Sequence, residues 1–277
     1  MKKNIALCFC VRNCQRFLPY IFKNIDNLKS LNFNFYCVFI IDNCIDNSFQ
    51  LLNLYKNYNK NIIIKNIHNH SKLRTLRIAK ARNECLNIVY NQLPDILYHF
   101  MIDSDNVNIS KWNIDIINNY LNNFDNDDWD CISFNRNNYY DIWALLFDNF
   151  RHHCWGFGKD SRKVILALQK IIKKKLDNSK SNSIEVISAF NGFCIYKTER
   201  FKDFFYDGLY KNFKNLVTDD ERNNTIQELK KVILDVDIDE NYENNPVNPQ
   251  CCEHLFYHLS AFKKGRKIKI SKFKVVN

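Results

Sequence analysis

Two carboxylates at the end of an apolar run pose the first chemical question of this chain. Tyr98-His99-Phe100-Met101-Ile102 is strand-forming in character and leads directly into Asp103-Ser104-Asp105. A buried strand of this kind delivers such carboxylates where its ladder ends, at the carboxyl edge of a sheet. Open α/β sheets bind ligands at that edge. Residues two apart point the same way in an extended chain, so Asp103 and Asp105 would face one ligand. Two hard oxygen donors suit Mg²⁺ or Mn²⁺ held jointly with substrate phosphates. The plain alternative is a pair of solvated carboxylates in a turn before Asn106, since Asp-x-Asp is a frequent pattern.

The elements that must position this pair alternate through the first hundred residues. Asn4 to Val11 reads as a strand, and Leu18, Ile21, Phe22, Ile25 and Leu28 form a helical stripe within Phe17 to Leu31. Phe35 to Ile41 is a second apolar strand, Phe49 to Tyr58 a helix, and Asn61 to Ile67 a third strand. A helix then runs from the Lys72–Asn83 stretch to about Tyr90, ahead of a fourth strand over Ile96 to Ile102. This alternation predicts a parallel, Rossmann-like half. No Gly-x-Gly-x-x-Gly follows the first strand and no Walker loop occurs, so phosphates would have to be met by metal and side chains.

Beyond Asp105 the pattern predicts a helix over Trp112 to Leu121 and a strand over Trp129 to Phe134. Tyr139 to Phe147 is aromatic, either core or a sugar platform, with core the commoner outcome. Val164 to Leu176 reads as an amphipathic helix, and Glu185 to Tyr196 as one strand broken by Asn191-Gly192. Asp219 to Asn245 reads as a helix followed by a loose acidic loop, Cys251 to Phe262 as a helix, and Lys267 to Val276 as a basic strand. No linker separates two domains, so one mixed α/β domain over residues 1–277 is expected.

Composition sets the outer bounds. Hydrophobic residues at 46% of the 277 allow a sizeable core, and five Gly and four Pro exclude collagen-like repeats and long flexible linkers. A formal charge of +10 suits anionic partners, yet much of the excess lies in two runs, Lys170 to Lys175 and Lys263 to Lys274, that read as solvated faces. The eleven Cys are irregularly spaced and the adjacent pair Cys251-Cys252 has no Cys-x-x-Cys companion, which disfavours zinc and disulfides. No secretory signal and no apolar stretch of membrane-spanning length is present, so a cytoplasmic protein is expected, with contact to a membrane surface left open.

Five stretches, in order, resemble the GT-A-fold glycosyltransferases, the large nucleotide-sugar-dependent group of the family-two type. Asp42-Asn43-Cys44-Ile45-Asp46-Asn47-Ser48 is similar to the Asp-Asp-Gly-Ser-x-Asp motif after the second strand, one residue shorter and without its Gly. Ala81-Arg82-Asn83 is similar to the Ala-Arg-Asn of the helix before strand four, and Asp103-Ser104-Asp105 sits where the family's Asp-x-Asp sits. Ser188 to Tyr196 resembles a Ser-Ala-Phe-Gly-Gly strand, with Asn191 for the first Gly, and Cys252-Glu253-His254 a Cys-Glu-His motif found where other members carry Glu-Asp.

The resemblance implies a mostly parallel sheet flanked by helices, with residues 1–105 binding nucleotide and 106–277 binding acceptor. It implies transfer of a sugar from a nucleoside-diphosphate sugar to a glycan or other hydroxyl acceptor, with Mn²⁺ or Mg²⁺ on the leaving diphosphate. Asp105 would bind the ion, Asp103 the ribose or the ion, and Asp42 the base or ribose. Arg77 and Arg82 suit phosphate oxygens, and Asn191 and Gly192 would border the donor. Glu253 and His254 are the candidates for acceptor activation, with His254 also a candidate metal ligand. His258 shares a helical face with His254, and its alternative is a packed helix residue; His68 and His70 lie in a loop with neither role. A sugar-phosphate nucleotidyltransferase is the rival enzyme, but it would want a Gly-rich loop where Cys10-Val11-Arg12-Asn13 stands. A nucleic-acid-binding protein is favoured by net charge alone.

Overall fold

The computed structural model describes residues 2–123, 128–233, 236–239 and 250–276. Its first part runs β1 (Lys3–Val11), α1 (Leu18–Leu28), β2 (Phe33–Asp42), α2 (Ser48–Asn57), β3 (Ile62–Ile67), α3 (Arg74–Asn91) and β4 (Ile96–Asp103). The remainder adds α4 (Ile114–Asn122), β5 (Cys131–Phe134), α5 (Ser161–Asn178), β6 (Ser183–Val186), β7 (Phe193–Lys197), α6 (Tyr210–Lys214), α7 (Asp219–Lys230), α8 (Glu253–Phe262) and β8 (Ile268–Ser271). The acidic loop expected after α7 lies largely outside the described residues.

Among the described residues, eight strands form one sheet in the order β3-β2-β1-β4-β7-β5-β8-β6. The sheet is mixed and mostly parallel, as expected: β3, β2, β1 and β4 run parallel, and β7 is antiparallel to both β4 and β5. β8 lies parallel to β5, with β6 antiparallel at the edge. One expectation fails here. Glu185 to Tyr196 is not a single interrupted strand but parts of two, β6 at the sheet edge and β7 at its centre, separated by residues 187–192. Apolar residues populate the whole stretch, so periodicity alone does not reveal that it leaves the sheet and re-enters elsewhere.

Both faces of the sheet are covered because successive side chains alternate. Ile5, Leu7 and Phe9 of β1 pack with Leu18, Ile21, Ile25 and Leu28 of α1, Leu52 of α2 and Ile117 and Leu121 of α4. Ala6 and Cys8 pack on the other face, in the core that holds α3, α5 and α8. Each fully buried Leu or Ile contributes roughly 1.5–3 kcal/mol. The register matters for chemistry: Val11 pairs with Ile41 and Cys10 with Asp103. Arg12, Asp42 and Asp103-Ser104-Asp105 therefore emerge together at the carboxyl edge of the parallel strands. The chain also changes direction here, because β2 and β3 lie on one side of β1 and β4 on the other.

Asn191 and Gly192 make the reversal that feeds β7 beside β4. Their φ angles are +56° and +81°, in the left-handed region that Gly and Asn tolerate best. The Gly192 carbonyl accepts from the Asp103 backbone N–H (3.0 Å) and from Asn108 Nδ2 (2.9 Å). A Cβ at Gly192 would lie 2.7 Å from the Tyr140 hydroxyl and 3.0 Å from Val107 Cγ2. Gly192→Ala is therefore expected to lower unfolding stability by about 1–2 kcal/mol, read from the urea midpoint; an unchanged midpoint would show that the turn relaxes without strain.

Candidate active site

The β2 end of the site is built around a buried carboxylate. Asp42, the last residue of β2, is ion-paired with Arg12 Nη1 at 3.3 Å and lies 3.8 Å from Arg77 Nε. Arg77, near the start of α3, also donates to the Ser71 and Lys72 carbonyls. Asn43 follows with φ +48°, the conformation a glycine would take there. Asp46 holds the loop together, accepting from the Gln15 and Ser48 backbone N–H groups, each at 3.0 Å. His68 touches Asn43 at 3.3 Å and does not line the cleft.

The β4 end holds the Asp-x-Asp pair. Asp103 receives Arg82 Nη2 at 3.1 Å, and Arg82 Nε lies 2.9 Å from Glu253 Oε1, in the first turn of α8. The guanidinium is 5% exposed and stacks over Phe190 at 4.5 Å. Burial alone would favour loss of its proton, but Glu253 and Asp103 outweigh that and hold Arg82 more firmly charged than a free arginine. Arg82 is thus committed to two carboxylates. Burial pushes Asp103 up to about 7, despite Arg82, with Asp105, Asp141 and Glu253 adding repulsion. Asp105 is exposed and accepts from the Val107 N–H at 3.2 Å, which holds the turn after β4. Arg136 locks that turn by donating to Asn191 O, Val107 O and Asn108 Oδ1.

His254 follows Glu253 and is buried, stacked on Phe190 with ring centroids 3.9 Å apart. Burial, with the Arg82 charge next, holds it far below the usual imidazole range, so the ring is neutral. Both its nitrogens lack a hydrogen-bond partner among the described residues, although the residue lines the cleft. His258 is different. Its ring nitrogens bond Tyr196 Oη (2.9 Å) and Ser188 Oγ (3.1 Å), away from the cleft, and burial pushes it down to about 3. Ser188 donates to the Ala144 carbonyl at 2.6 Å, so it accepts from His258 Nδ1, leaving Nε2 to accept from Tyr196.

These groups line one open cleft of about 520 Å³, within the usual range of ligand sites. It contains Asp42, Arg77, Arg82, Asp103, Asp105, Glu253 and His254. Asn191 and Gly192 are not among its lining residues; the Asn191 side chain is occupied by the Phe134 carbonyl and the Asp141 N–H. Sequence reasoning missed Arg12, Arg74, Asp141 and Trp155, which also line it. Asp141 is pushed up to about 6 by burial, partly offset by the Asn191 N–H that it accepts at 3.1 Å. The aromatic stretch divides: Tyr139 and Phe147 are core, while Tyr140 and Trp143 reach the cleft.

The donor set fits a hard divalent cation. Asp103 and Asp105 offer only oxygen, and the repulsion from Asp105 that adds to the effect of burial on Asp103 is what a cation between them would relieve. Among the described residues no group of three or more His, Cys, Asp or Glu side chains is arranged to hold a metal, so His254 does not join the two aspartates in this arrangement.

Two outcomes follow from Arg82 and Asp103. Arg82→Met should cost about 3–5 kcal/mol in denaturant unfolding, because it strands the buried Glu253 carboxylate and leaves the partly buried Asp103 unpaired, with Arg82→Lys in between. A loss under about 1 kcal/mol would mean that water replaces the guanidinium. Asp103, with a folded pKa near 7 against about 3.9 unfolded, binds its proton more tightly when folded. Its contribution to stability is complete below about pH 4 and is lost as pH rises through about 7. The stability difference between wild type and Asp103→Asn should therefore fall across that window in metal-free buffer; a difference independent of pH would contradict the raised pKa.

No protein-family model matches the chain, and no curated protein does. Among solved structures it is similar to residues 1–349 of S. aureus TarS in complex with UDP-GlcNAc, at 16% identity and TM-score 0.42, over 75% of this chain and 49% of that one. It is also similar to the mannosyltransferase PcManGT of Pyrobaculum calidifontis in complex with GDP-Man and Mn²⁺, at 10% identity and TM-score 0.40, over 73% and 46%. The chain thus spans about half the length of each.

Proposed function

We propose that this protein is a divalent-metal-dependent glycosyltransferase that moves a sugar from a nucleoside-diphosphate sugar to a hydroxyl acceptor. One observation carries the reading: Asp42, Asp103 and Asp105 converge on one cleft at the carboxyl ends of parallel strands, where the strand order reverses. That is the place for a nucleotide, and the resemblance of the surrounding motifs supplies the reaction.

Each residue has a role in this reading. Asp42, fixed between Arg12 and Arg77, accepts hydrogen bonds from the base or ribose. Arg77 retains exposed donor surface for a phosphate oxygen. Asp103 and Asp105 are the residues that would hold the cation. The bound ion supplies charge stabilisation for the departing diphosphate. Arg82 keeps Asp103 and Glu253 in place rather than gripping phosphate itself, because both carboxylates already engage it. His254 lines the cleft with a neutral ring whose nitrogens have no hydrogen-bond partner among the described residues, so it can accept a hydrogen bond from the acceptor hydroxyl in the transition state. Burial and the Arg82 charge oppose its imidazolium and keep it a weak base; Glu253 Oε1 lies 3.9 Å from its Nε2.

The test combines thermal shift with product release. UDP or GDP with Mn²⁺ should raise stability by about 2.7 kcal/mol at a hundredfold excess over Kd, and at least one nucleotide sugar should release its nucleoside diphosphate. Asp105→Ala should abolish the Mn²⁺-dependent part of both effects while folding normally, since Asp105 is exposed. Turnover in Mn²⁺ at the wild-type rate would remove the central claim. His254→Ala should leave nucleotide binding intact and lower turnover by roughly 10²–10⁴-fold; an equal loss of Mn²⁺ affinity would make it a metal ligand instead.

A further inference from the structure

Three aromatic side chains line the cleft without being among the groups assigned to the donor, Tyr140, Trp143 and Trp155, and of these Trp143 also packs against the core. Trp112 and Trp129, elsewhere in the chain, are 1% and 4% exposed, as so large an apolar surface favours. Trp155, in contrast, is 43% exposed and Tyr140 is 40% exposed. The rings are also held in place. Trp143 and Trp155 meet edge to face, with centroids 6.5 Å apart and planes at 82°. The Arg74 guanidinium lies 5.6 Å over Trp143, and that of Arg136 lies 5.8 Å from the centre of Tyr140. Trp143 is therefore already partnered, and Trp155 offers the more open indole. A rigid aromatic surface of this kind binds with little ordering cost.

We propose that Trp155, backed by Trp143, is a stacking platform for a pyranose ring of the acceptor, so that the acceptor is a carbohydrate. The inference rests on the proposed glycosyl transfer and narrows its acceptor. A pyranose presents a flat face of C–H bonds with partial positive charge, which the negative face of an indole attracts. Its rim presents hydroxyl donors, and the carboxylates of Asp141 and Glu253 line the same cleft as acceptors. An acyclic polyol has the donors but no flat apolar face, and a lipid alcohol has the apolar surface but no ring of donors. A nucleobase and the donor's own sugar are the other flat ligands at hand. Asp42, with its own pair of arginines, already provides for the nucleoside, and loss of a platform for the donor sugar would cost hydrolysis of the nucleotide sugar as much as transfer.

The test uses the purified chain with Mn²⁺ and UDP or GDP. Methyl pyranosides of glucose, galactose, mannose and N-acetylglucosamine are the probes, with ribitol, glycerol and free nucleosides as controls. Saturation-transfer NMR reads weak binding without depending on the tryptophan as reporter. At least one pyranoside should bind saturably through its C–H face, Trp155→Ala should weaken it about tenfold, as loss of one stacking contact does, and Trp155→Phe should recover most of that loss. Transfer to a pyranoside acceptor should fall about tenfold more than hydrolysis of the nucleotide sugar. The platform is overturned if no pyranoside binds, if Trp155→Ala leaves the affinity unchanged, or if ribitol or a nucleoside shows the same dependence on Trp155. Release of nucleoside diphosphate with no pyranoside response overturns the platform alone. Pyranoside binding at Trp155 with no release from any nucleotide sugar overturns the transferase reading, and with it the acceptor role.

Discussion

A guanidinium as deeply buried as that of Arg82 is tolerated only where its charge is matched, because removing an ion from water costs several kcal/mol even after relaxation. The match comes from Asp103, at the end of a strand, and Glu253, at the start of a helix 150 residues further along the sequence. Arg82 itself sits midway along α3, so three elements meet at one cation. Phe190 covers the flat face of the guanidinium and on its own part stacks with His254. The two halves of the chain are thereby tied together at the cleft, and the ionic cluster that ties them is also the cluster proposed for the chemistry. Burial, with the repulsion of the neighbouring carboxylates added to it, leaves Asp103 easier to protonate than a surface aspartate, and carboxylates that outnumber their cation are receptive to a second positive charge.

The sheet explains why that cluster forms where it does. Parallel strands deliver their carboxyl ends to one edge, and the register between β1, β2 and β4 brings Arg12, Asp42 and Asp103 to the same level. Antiparallel β7 then enters beside β4 through a left-handed turn whose carbonyl takes the Asp103 N–H. Asparagine takes over much of what glycine does in other chains. Asn13, Asn43 and Asn191 all have positive φ, as do only three of the five glycines. A short polar side chain that bonds locally lowers the cost of that conformation. In an Asn-rich chain with five glycines, loops that are usually Gly-marked keep their shape under a different residue.

This substitution also bears on what was legible in the sequence. The alternating strands and helices of the first hundred residues were readable to within one to three residues at most ends, because each carries a continuous apolar run or a clear 3.6-residue stripe. The convergence of Asp42, Arg82, Asp103, Asp105, Glu253 and His254 on one cleft followed from the motifs and their order. The rest depended on distances that sequence does not hold. Nothing in Ala81-Arg82-Asn83 says that the arginine faces inward to two carboxylates. Asp141 and Trp155 lie in irregular segments, without periodicity to mark a face, and reach the cleft only through long-range packing. The division of residues 183–197 between the edge and the centre of the sheet is likewise a tertiary outcome.

The loop after β1 shows why side chains have to carry anion binding in the proposed reading. In a glycine-rich nucleotide loop the backbone N–H groups and the first turn of the following helix point at phosphate. Here those donors are already used. The Asn13 N–H goes to Cys44 Sγ at 3.2 Å, the Cys14 N–H to Ser48 Oγ at 2.8 Å, and the Gln15 N–H to Asp46 Oδ2 at 3.0 Å. The Phe17 and Leu18 N–H groups at the start of α1 turn back to the Cys14 carbonyl. The segment from Asp42 to Ser48 therefore ties down the loop that would otherwise cradle a diphosphate. Negative charge arriving at this edge is left to be met by side chains, the partly exposed Arg12 and Arg77, whose charges Asp42 already attracts, and Arg74, or by a cation placed on Asp103 and Asp105. Closing the backbone route makes the paired aspartates the natural anchor for a diphosphate, and a metal the means by which two groups of the same sign are held together.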